Sequence, residues 1–192
     1  MTTIGIDPGH HNGAAVVLRR SGEFAALVGW KSHNKGAYWT VTRLDGLDSR
    51  ELRLTTYGAL AEQVRLMAAK HVVRVAAVEG FRWGVRGNEK RSPRSIEVLA
   101  QSAGALSSAV EQVTGVRVLR PDFVRWRKAV LKLTPSTSGE AAKRAAMIAV
   151  GGPGLRRLMV RFPCQLPEEW GEVDHAAEAA CIAEWARREG DE

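Results

Sequence analysis

Short apolar runs dominate the first part of the chain and predict β-strands. The runs Met1–Asp7, Gly13–Arg19 and Glu23–Trp30 are rich in small and β-branched residues and are separated by glycine-containing turns. Two such runs joined by a short loop are typical of a β-hairpin. The next stretch, Lys31–Asp48, is polar, with a strand candidate at Tyr38–Leu44, and could form an extra hairpin or an extended loop.

The apolar spacing changes to a helical period after this polar stretch. It predicts a helix over Ser49–Lys70. The residues that recur at roughly helical spacing are Leu52, Leu60, Val64 and Met67. Later strands are predicted at His71–Val78 and Val116–Leu119, and helices at Ser95–Thr114, Pro121–Leu133, Glu140–Val150 and Asp174–Arg188. A start of three strands followed by alternating units predicts an α/β fold with a mixed sheet and helices on both faces.

Composition adds a basic charge to this picture. The 192 residues contain 28 Lys+Arg and 21 Asp+Glu, a formal net charge of +7. This balance favours a polyanionic partner such as nucleic acid, although basic surfaces also occur without one. Two cysteines exclude a disulfide framework and a multi-cysteine zinc module. With no leader and no apolar run near the ~18 residues of a membrane span, we expect a cytoplasmic protein with no membrane partner.

Acidic residues at the ends of apolar elements are the strongest chemical signal. Asp7 and Glu79 each end an apolar strand, while Asp174 and Glu178 begin the last helix four residues apart on one face. Carboxylates gathered at a sheet edge repel one another unless divalent cations lie between them. The pattern predicts metal ligands at these four positions, with two Mg²⁺ ions on either side of a phosphate. Taken singly, each residue could instead be a turn former, a solvated charge or an N-cap.

Five segments of the chain also resemble a known family, and they do so in order. They are Ile4–Val17 (IGIDPGHHNGAAVV), Val75–Phe81 (VAAVEGF), Ser95–Leu106 (SIEVLAQSAGAL), Gly139–Met147 (GEAAKRAAM) and Asp174–Ala186 (DHAAEAACIAEWA). Together they resemble the RuvC-type Holliday-junction resolvases of the RNase H-like nuclease superfamily. Two features resemble a divergent or phage-type branch of the family. His10 and His11 follow Asp-Pro-Gly, and the polar stretch after Trp30 is long.

The resemblance implies a fold and an activity. The fold is a single RNase H-like nuclease domain over residues 1–192, with an antiparallel start to the sheet followed by parallel strands. The activity is a magnesium-dependent endonuclease, with Mn²⁺ able to substitute, that acts as a homodimer on four-way DNA junctions. Its products are nicks with 5′-phosphate and 3′-hydroxyl ends, and it needs no nucleotide cofactor.

The resemblance maps Asp7, Glu79 and Glu178 onto the metal-binding acids of the family and leaves the remaining ligand open. Family members commonly carry Asp-Ala-Ala-Asp, with His in the first position of some. At that spacing His175 pairs with Glu178, and Asp174 falls one residue earlier. Either could bind metal; we favour Asp174 as the hard oxygen ligand and His175 as a ligand or proton shuttle. The alternative for His175 is a surface histidine, and His10 and His11 are interpreted as solvent-facing loop residues.

Clusters of basic residues predict the DNA-facing surface. They concentrate in Arg82–Arg94, Arg117–Lys132 and Lys143–Arg161, where positive charge could neutralise phosphates. Aromatic residues in the first cluster could stack on opened bases or pack into the core. Two lysines resemble family lysines near the scissile phosphate, although Lys143 could equally be a solvated helix residue. The expected DNA contacts are Phe81, Arg82, Trp83, Arg86, Lys90, Arg91, Lys128 and Lys143.

Two other functions remain compatible with the sequence. One is an RNase H-like nuclease that acts on flaps or other branched DNA. The other is a non-catalytic junction-binding protein. An actin-like phosphotransferase is disfavoured by the short length and by the lack of a second phosphate loop. The small-residue face of Ser95–Thr114 could serve as a dimer surface or pack on the sheet.

Overall fold

A seven-stranded mixed sheet organises the computed structural model, which describes residues 1–45, 48–80, 93–151 and 173–190. The strands are β1 (Thr2–Asp7), β2 (Asn12–Arg19), β3 (Phe24–His33), β4 (Tyr38–Asp45), β5 (Asp48–Leu54), β6 (Val73–Val78) and β7 (Val118–Leu119). Their spatial order is β5-β4-β3-β2-β1-β6-β7. Strands β1 to β5 pair antiparallel, and β6 and β7 continue the sheet parallel to β1.

Helices cover both faces of this sheet. They are α1 (Tyr57–Ala68), α2 (Pro93–Thr114), α3 (Phe123–Trp126), α4 (Gly139–Gly151) and α5 (Val173–Glu189). Helices α1 and α2 share one apolar core with the sheet, and α4 and α5 lie on the opposite face. An antiparallel start, parallel later strands and helices on both faces confirm the predicted RNase H-like α/β fold. None of the helices in the described part of the chain is long and apolar enough to cross a membrane.

The close approach of α5 to β1 is the packing feature that positions the site. Side chains alternate across β1, so Ile4 and Ile6 enter the core on the α1 side while Gly5 faces α5. A Cβ atom at Gly5 would lie 2.1 Å from the carbonyl oxygen of Ala179 and 2.2 Å from the amide nitrogen of Ala183. Glycine therefore allows the backbone of α5 to lie directly on β1, with the first turns of the helix beside Asp7.

The prediction of a helix from Ser49 was wrong for its first residues. Residues 48–54 form β5, which pairs antiparallel with β4, so the polar stretch after Trp30 is an extra hairpin. Leu52 and Leu54 pack against the core at a strand period of two, and cross-strand pairing outweighs the ambiguous apolar spacing. Helix α1 begins after Thr56, whose hydroxyl accepts a hydrogen bond from the Ala59 amide at 3.2 Å.

The basic helix predicted over Pro121–Leu133 is present in two parts. Helix α3 begins after Asp122, whose carboxylate accepts a hydrogen bond from the Arg125 amide at 2.8 Å. A π-helical turn, Arg127–Leu131, follows and ends at Lys132, whose φ of 58° is left-handed. Such turns widen a helix locally and often accompany functional sites. The turn lies next to the carboxylates described below.

Candidate active site

The two strand-borne acids lie side by side at one edge of the sheet. Asp7 is the last residue of β1, and Glu79 directly follows β6, the parallel neighbour of β1. The Glu79 amide donates to the Ile6 carbonyl at 3.0 Å, which extends the pairing to the residue that carries the carboxylate. The sheet thus brings together two acids that are 72 residues apart in sequence.

Helix α5 adds an imidazole and a third carboxylate. The Nδ1 atom of His175 lies 2.5 Å from Oδ2 of Asp7. One helical turn later, Glu178 is buried, with 4% of its surface exposed. One ligand atom from each of Asp7, His175 and Glu178 can be chosen so that all three lie within 4.8 Å of one another. Within the described residues, this is the group of ionisable side chains compact enough to share one metal ion.

Asp174 makes a different set of contacts from the one that the sequence suggested. Its Oδ2 atom accepts a hydrogen bond from Nζ of Lys143 on α4 at 2.6 Å. Its Oδ1 atom accepts from the His175 amide at 2.9 Å. In this arrangement His175 points at Asp7, and Asp174 holds a lysine beside the site. Lys143 is half-buried in this ion pair rather than solvated on the face of its helix.

Two residues that follow β7 hold the buried carboxylates in place. The indole N–H of Trp126 donates to Oε2 of Glu79 at 3.1 Å, and Nη2 of Arg127 donates to Oε1 of Glu178 at 2.8 Å. Trp126 is fully buried in the core, so its polar contact with Glu79 is made inside the protein. Arg127 was not singled out at all. The sequence offered one signal for both residues. A helix is predicted to start directly after a short strand, and that strand lies next to β6.

The electrostatics of the group show a shortage of positive charge. Burial, together with the charges of Asp7 and Glu178, raises the pKa of Glu79 to about 8, although Arg127 acts in the opposite direction. Burial and the charge of Asp7 likewise raise the pKa of Glu178 to about 7. Burial alone would lower the pKa of His175, but the hydrogen bond and charge of Asp7 outweigh it and raise that pKa. The charge of Asp7 therefore disfavours ionisation of both Glu79 and Glu178.

The donor set fits a divalent cation. Carboxylate oxygens are the preferred ligands of Mg²⁺ and Mn²⁺, and an imidazole nitrogen is acceptable to Mn²⁺ and related ions. A divalent charge placed among Asp7, His175 and Glu178 would relieve the repulsion that raises the pKa values of the two glutamates. Glu79 lies outside this compact group, although the charges of Asp7 and Glu178 reach it.

The loop that follows Asp7 is anchored through its backbone. The carbonyl groups of residues 9, 10 and 11 accept hydrogen bonds from Nε1 of Trp30 at 2.7 Å, Nε1 of Trp39 at 2.9 Å and the Ser32 amide at 2.6 Å. Both indoles are buried in the core on the α1 side. Donors from β3 and β4 thus fix three consecutive carbonyl groups, beginning two residues after Asp7, and so anchor the loop that follows this carboxylate.

The histidines of this loop differ in their surroundings. His11 is exposed, as expected, and its Nδ1 atom lies 2.8 Å from the Ser32 hydroxyl. His10 was also expected to face solvent, but it is half-buried and stacks on Tyr57, with ring centroids 5.1 Å apart. Burial and the neighbouring His11 lower the pKa of His10. Its packing against α1 was not visible in the loop sequence because the contact is non-local.

The predicted DNA contacts fall into two groups. Lys128 is exposed on the π-helical turn, and Lys143 is beside the carboxylates. The others belong to the first basic cluster and lie outside the described residues: Phe81, Arg82, Trp83, Arg86, Lys90 and Arg91.

Comparisons with known proteins give similarities to solved structures. No protein-family model and no curated protein sequence matches the chain. The fold is similar to the Thermus thermophilus RuvC structure, with a TM-score of 0.49 and 14% identity over 99% of this chain and 98% of that one. It is also similar to T. thermophilus RuvC in complex with Holliday junction substrate, with a TM-score of 0.46 and 15% identity over 95% and 90% of the two chains.

Proposed function

We propose that this protein is a Mg²⁺-dependent, structure-selective endonuclease that resolves four-way DNA junctions. The observation that carries the proposal is the convergence of Asp7, His175 and Glu178 within 4.8 Å, with Glu79 beside them. These side chains come from β1, β6 and α5, and they meet at one edge of an RNase H-like sheet. The order of the five sequence segments supports a junction as the substrate, and the net charge of +7 supports a nucleic acid.

The proposed metal ligands are Asp7, His175 and Glu178, with Glu79 available to a second ion. When bound, divalent cations would supply an activated water and stabilise the leaving oxygen, in a two-metal hydrolysis that yields 5′-phosphate and 3′-hydroxyl ends. The tight contact of His175 with Asp7 orients both groups before any cation binds. Preformed ligand geometry of this kind lowers the cost of assembling the site.

The surrounding cations would assist the phosphate. Lys143 lies beside the carboxylates and is held there by Asp174, so its ammonium group is available to charge that develops on the scissile phosphate. The positive charge of Arg127 is directed at Glu178 inside the protein, and its hydrogen bond fixes the orientation of that carboxylate. Trp126 does the same for Glu79 without adding charge.

The functional unit in this proposal is a homodimer of single nuclease domains. A four-way junction has two-fold symmetry, so a symmetric dimer could place two sites on opposing strands. Helix α2 is the candidate surface: Leu106 and Val110 pack into the core, while Gln101, Ser108 and Gln112 are exposed on the other side of the helix.

Cleavage of a mobile four-way junction tests the proposal. We expect nicking by the wild type in Mg²⁺ and none in chelator, with losses of about 100-fold or more, some 3 kcal/mol of barrier, in Asp7→Asn and Glu79→Gln. Glu62→Gln, an exposed carboxylate on α1, is the matched control and should cut normally.

Other outcomes distinguish the alternatives. Junction binding without cutting in either Mg²⁺ or Mn²⁺ would indicate a non-catalytic binding protein. Faster cutting of flaps than of junctions would indicate a nuclease for other branched DNA. Equal cutting by wild type, Asp7→Asn and Glu79→Gln would overturn the assignment of the site.

A further inference from the structure

A row of stacked side chains crosses the three outer strands β3, β4 and β5. The rings of His33 and Tyr38 stack with centroids 4.9 Å apart and an interplanar angle of 14°. On β5, the guanidinium carbon of Arg53 lies 3.9 Å from the centroid of the Tyr38 ring. The Thr40 hydroxyl and Nε2 of His33 are 3.1 Å apart, which fixes the imidazole at the inner end of the row. The three side chains therefore form an ordered row across β3, β4 and β5.

The row lies at the same end of the sheet as Asp7. His33 ends β3, Tyr38 begins β4 and Arg53 lies near the end of β5, while antiparallel pairing through β2 brings these ends level with the end of β1. Trp39 points into the core on the α1 side, so Tyr38 points to the opposite face. That is the face on which α5 carries the candidate metal ligands.

In the described part of the chain, the two cations of this surface are exposed and are not neutralised by carboxylates. Arg53 is exposed, and so is Lys35 in the turn between β3 and β4. Across the described ranges, neither side chain forms an ion pair with a carboxylate, although Glu51 is two residues from Arg53 on the same strand. Lys35 has a left-handed φ of 57°, a conformation uncommon for a residue other than glycine. The contact with the Tyr38 ring holds the Arg53 guanidinium over the face of the ring and restricts its movement.

We infer that Arg53 and Lys35, supported by Tyr38 and His33, bind the phosphate backbone of a duplex arm of the DNA substrate. The inference rests on the proposed function and extends it to a second contact surface. A guanidinium suits phosphate because it presents several donors in one plane. Double-stranded DNA is the partner that offers regularly spaced phosphates to two cations at the edge of a sheet.

The sheet itself sets the distance between this surface and the metal site. Four strand spacings of ~4.8 Å separate β1 from β5, so Arg53 lies roughly 19 Å from Asp7 along the edge. At ~3.4 Å per nucleotide along one strand, a duplex that follows the edge reaches Arg53 about six base pairs from the scissile phosphate. The length of the DNA arm is therefore a variable that the inference predicts.

Binding of junctions with different arm lengths tests this inference. We would measure the affinity of the double variant Arg53→Ala/Lys35→Ala in Ca²⁺, or in chelator, over a range of salt concentrations. On arms of 12 base pairs the affinity should fall about tenfold and the salt slope should shrink by about two, one for each lost phosphate contact. On arms of four base pairs the variant should bind as the wild type does.

Matched variants separate this surface from bulk charge. Arg19→Ala/Arg20→Ala removes two exposed arginines at the opposite end of the sheet and should change binding little. Arg53→Gln keeps the stem of the side chain but removes one of the two cations. It should therefore reduce the salt slope by about half as much as the double variant does. Equal losses in both double variants, or the same loss on short and long arms, would overturn the inference. Because binding is measured without cleavage, a failure to cut junctions would count against the proposed function alone.

Discussion

At the scale of single residues, the choice between Asp174 and His175 is instructive. Both lie about one turn before Glu178, and spacings of three and four residues each place a side chain on the same helix face. Helical periodicity therefore could not decide which of them approaches Asp7. The deciding contact is non-local, because Lys143 on α4 binds Asp174 and leaves His175 against Asp7.

This assignment predicts different effects on metal binding. His175→Ala removes one donor from the group of three and should weaken Mn²⁺ binding at least about tenfold. Asp174→Asn removes the partner of Lys143 without removing a donor from this group, and should weaken Mn²⁺ binding less than His175→Ala does. Titration calorimetry with Mn²⁺ on both variants measures the difference. A larger loss in Asp174→Asn would make Asp174 the ligand instead.

Arg127 leads to a prediction about stability. Arg127→Met leaves Glu178 buried without its cation, and should cost about 3 kcal/mol of unfolding free energy in the absence of metal. A divalent cation would replace the missing charge, so Mn²⁺ should raise the Tm of this variant more than that of the wild type. Arg65→Met breaks an exposed pair with Glu62 and should have little effect under either condition. Thermal unfolding with and without Mn²⁺ measures this; identical Mn²⁺ shifts in wild type and Arg127→Met would contradict it.

At the scale of elements, local patterns predicted most strands and helices but not β5. The spacing of apolar residues over 48–54 fits both a helix and a strand, and pairing with β4 decides between them. The acids at the ends of β1 and β6 were predictable because parallel neighbours end at the same edge. The contacts of Trp126 and Arg127 were not, since they depend on how α3 and the following π-helical turn pack against α5.

The contact of α5 with β1 predicts the effect of a single methyl group. Gly5→Ala would place a Cβ atom 2.1 Å from the Ala179 carbonyl oxygen, so α5 must move away from β1. We expect a loss of about 1–3 kcal/mol in unfolding free energy and weaker Mn²⁺ binding, because α5 carries His175 and Glu178.

A matched substitution isolates the cause of this effect. Gly58→Ala adds a methyl group in the first turn of α1, where nothing lies within 4 Å, and should be neutral or slightly stabilising. Urea unfolding and Mn²⁺ titration of both variants test the prediction. Normal Mn²⁺ binding by Gly5→Ala would show that the position of α5 does not control the site.

At the scale of the whole molecule, one end of the sheet gathers the chemistry. Residues from β1, β6 and α5 form the candidate metal site, and β3 to β5 extend the same edge with exposed cations. The order of strands and helices made this fold predictable from the sequence. The surface inferred around Arg53 was not predictable, because the row of His33, Tyr38 and Arg53 exists only after three strands pair.

The most direct test of the central claim is the cleavage rate of a four-way junction as a function of Mg²⁺ concentration. For the wild type we predict no cleavage in chelator and a rate that rises and saturates with Mg²⁺. Asp7→Asn should bind the junction but cleave it at least about 100-fold more slowly at every Mg²⁺ concentration. Wild-type cleavage in chelator, or an undiminished rate in Asp7→Asn, would contradict the account.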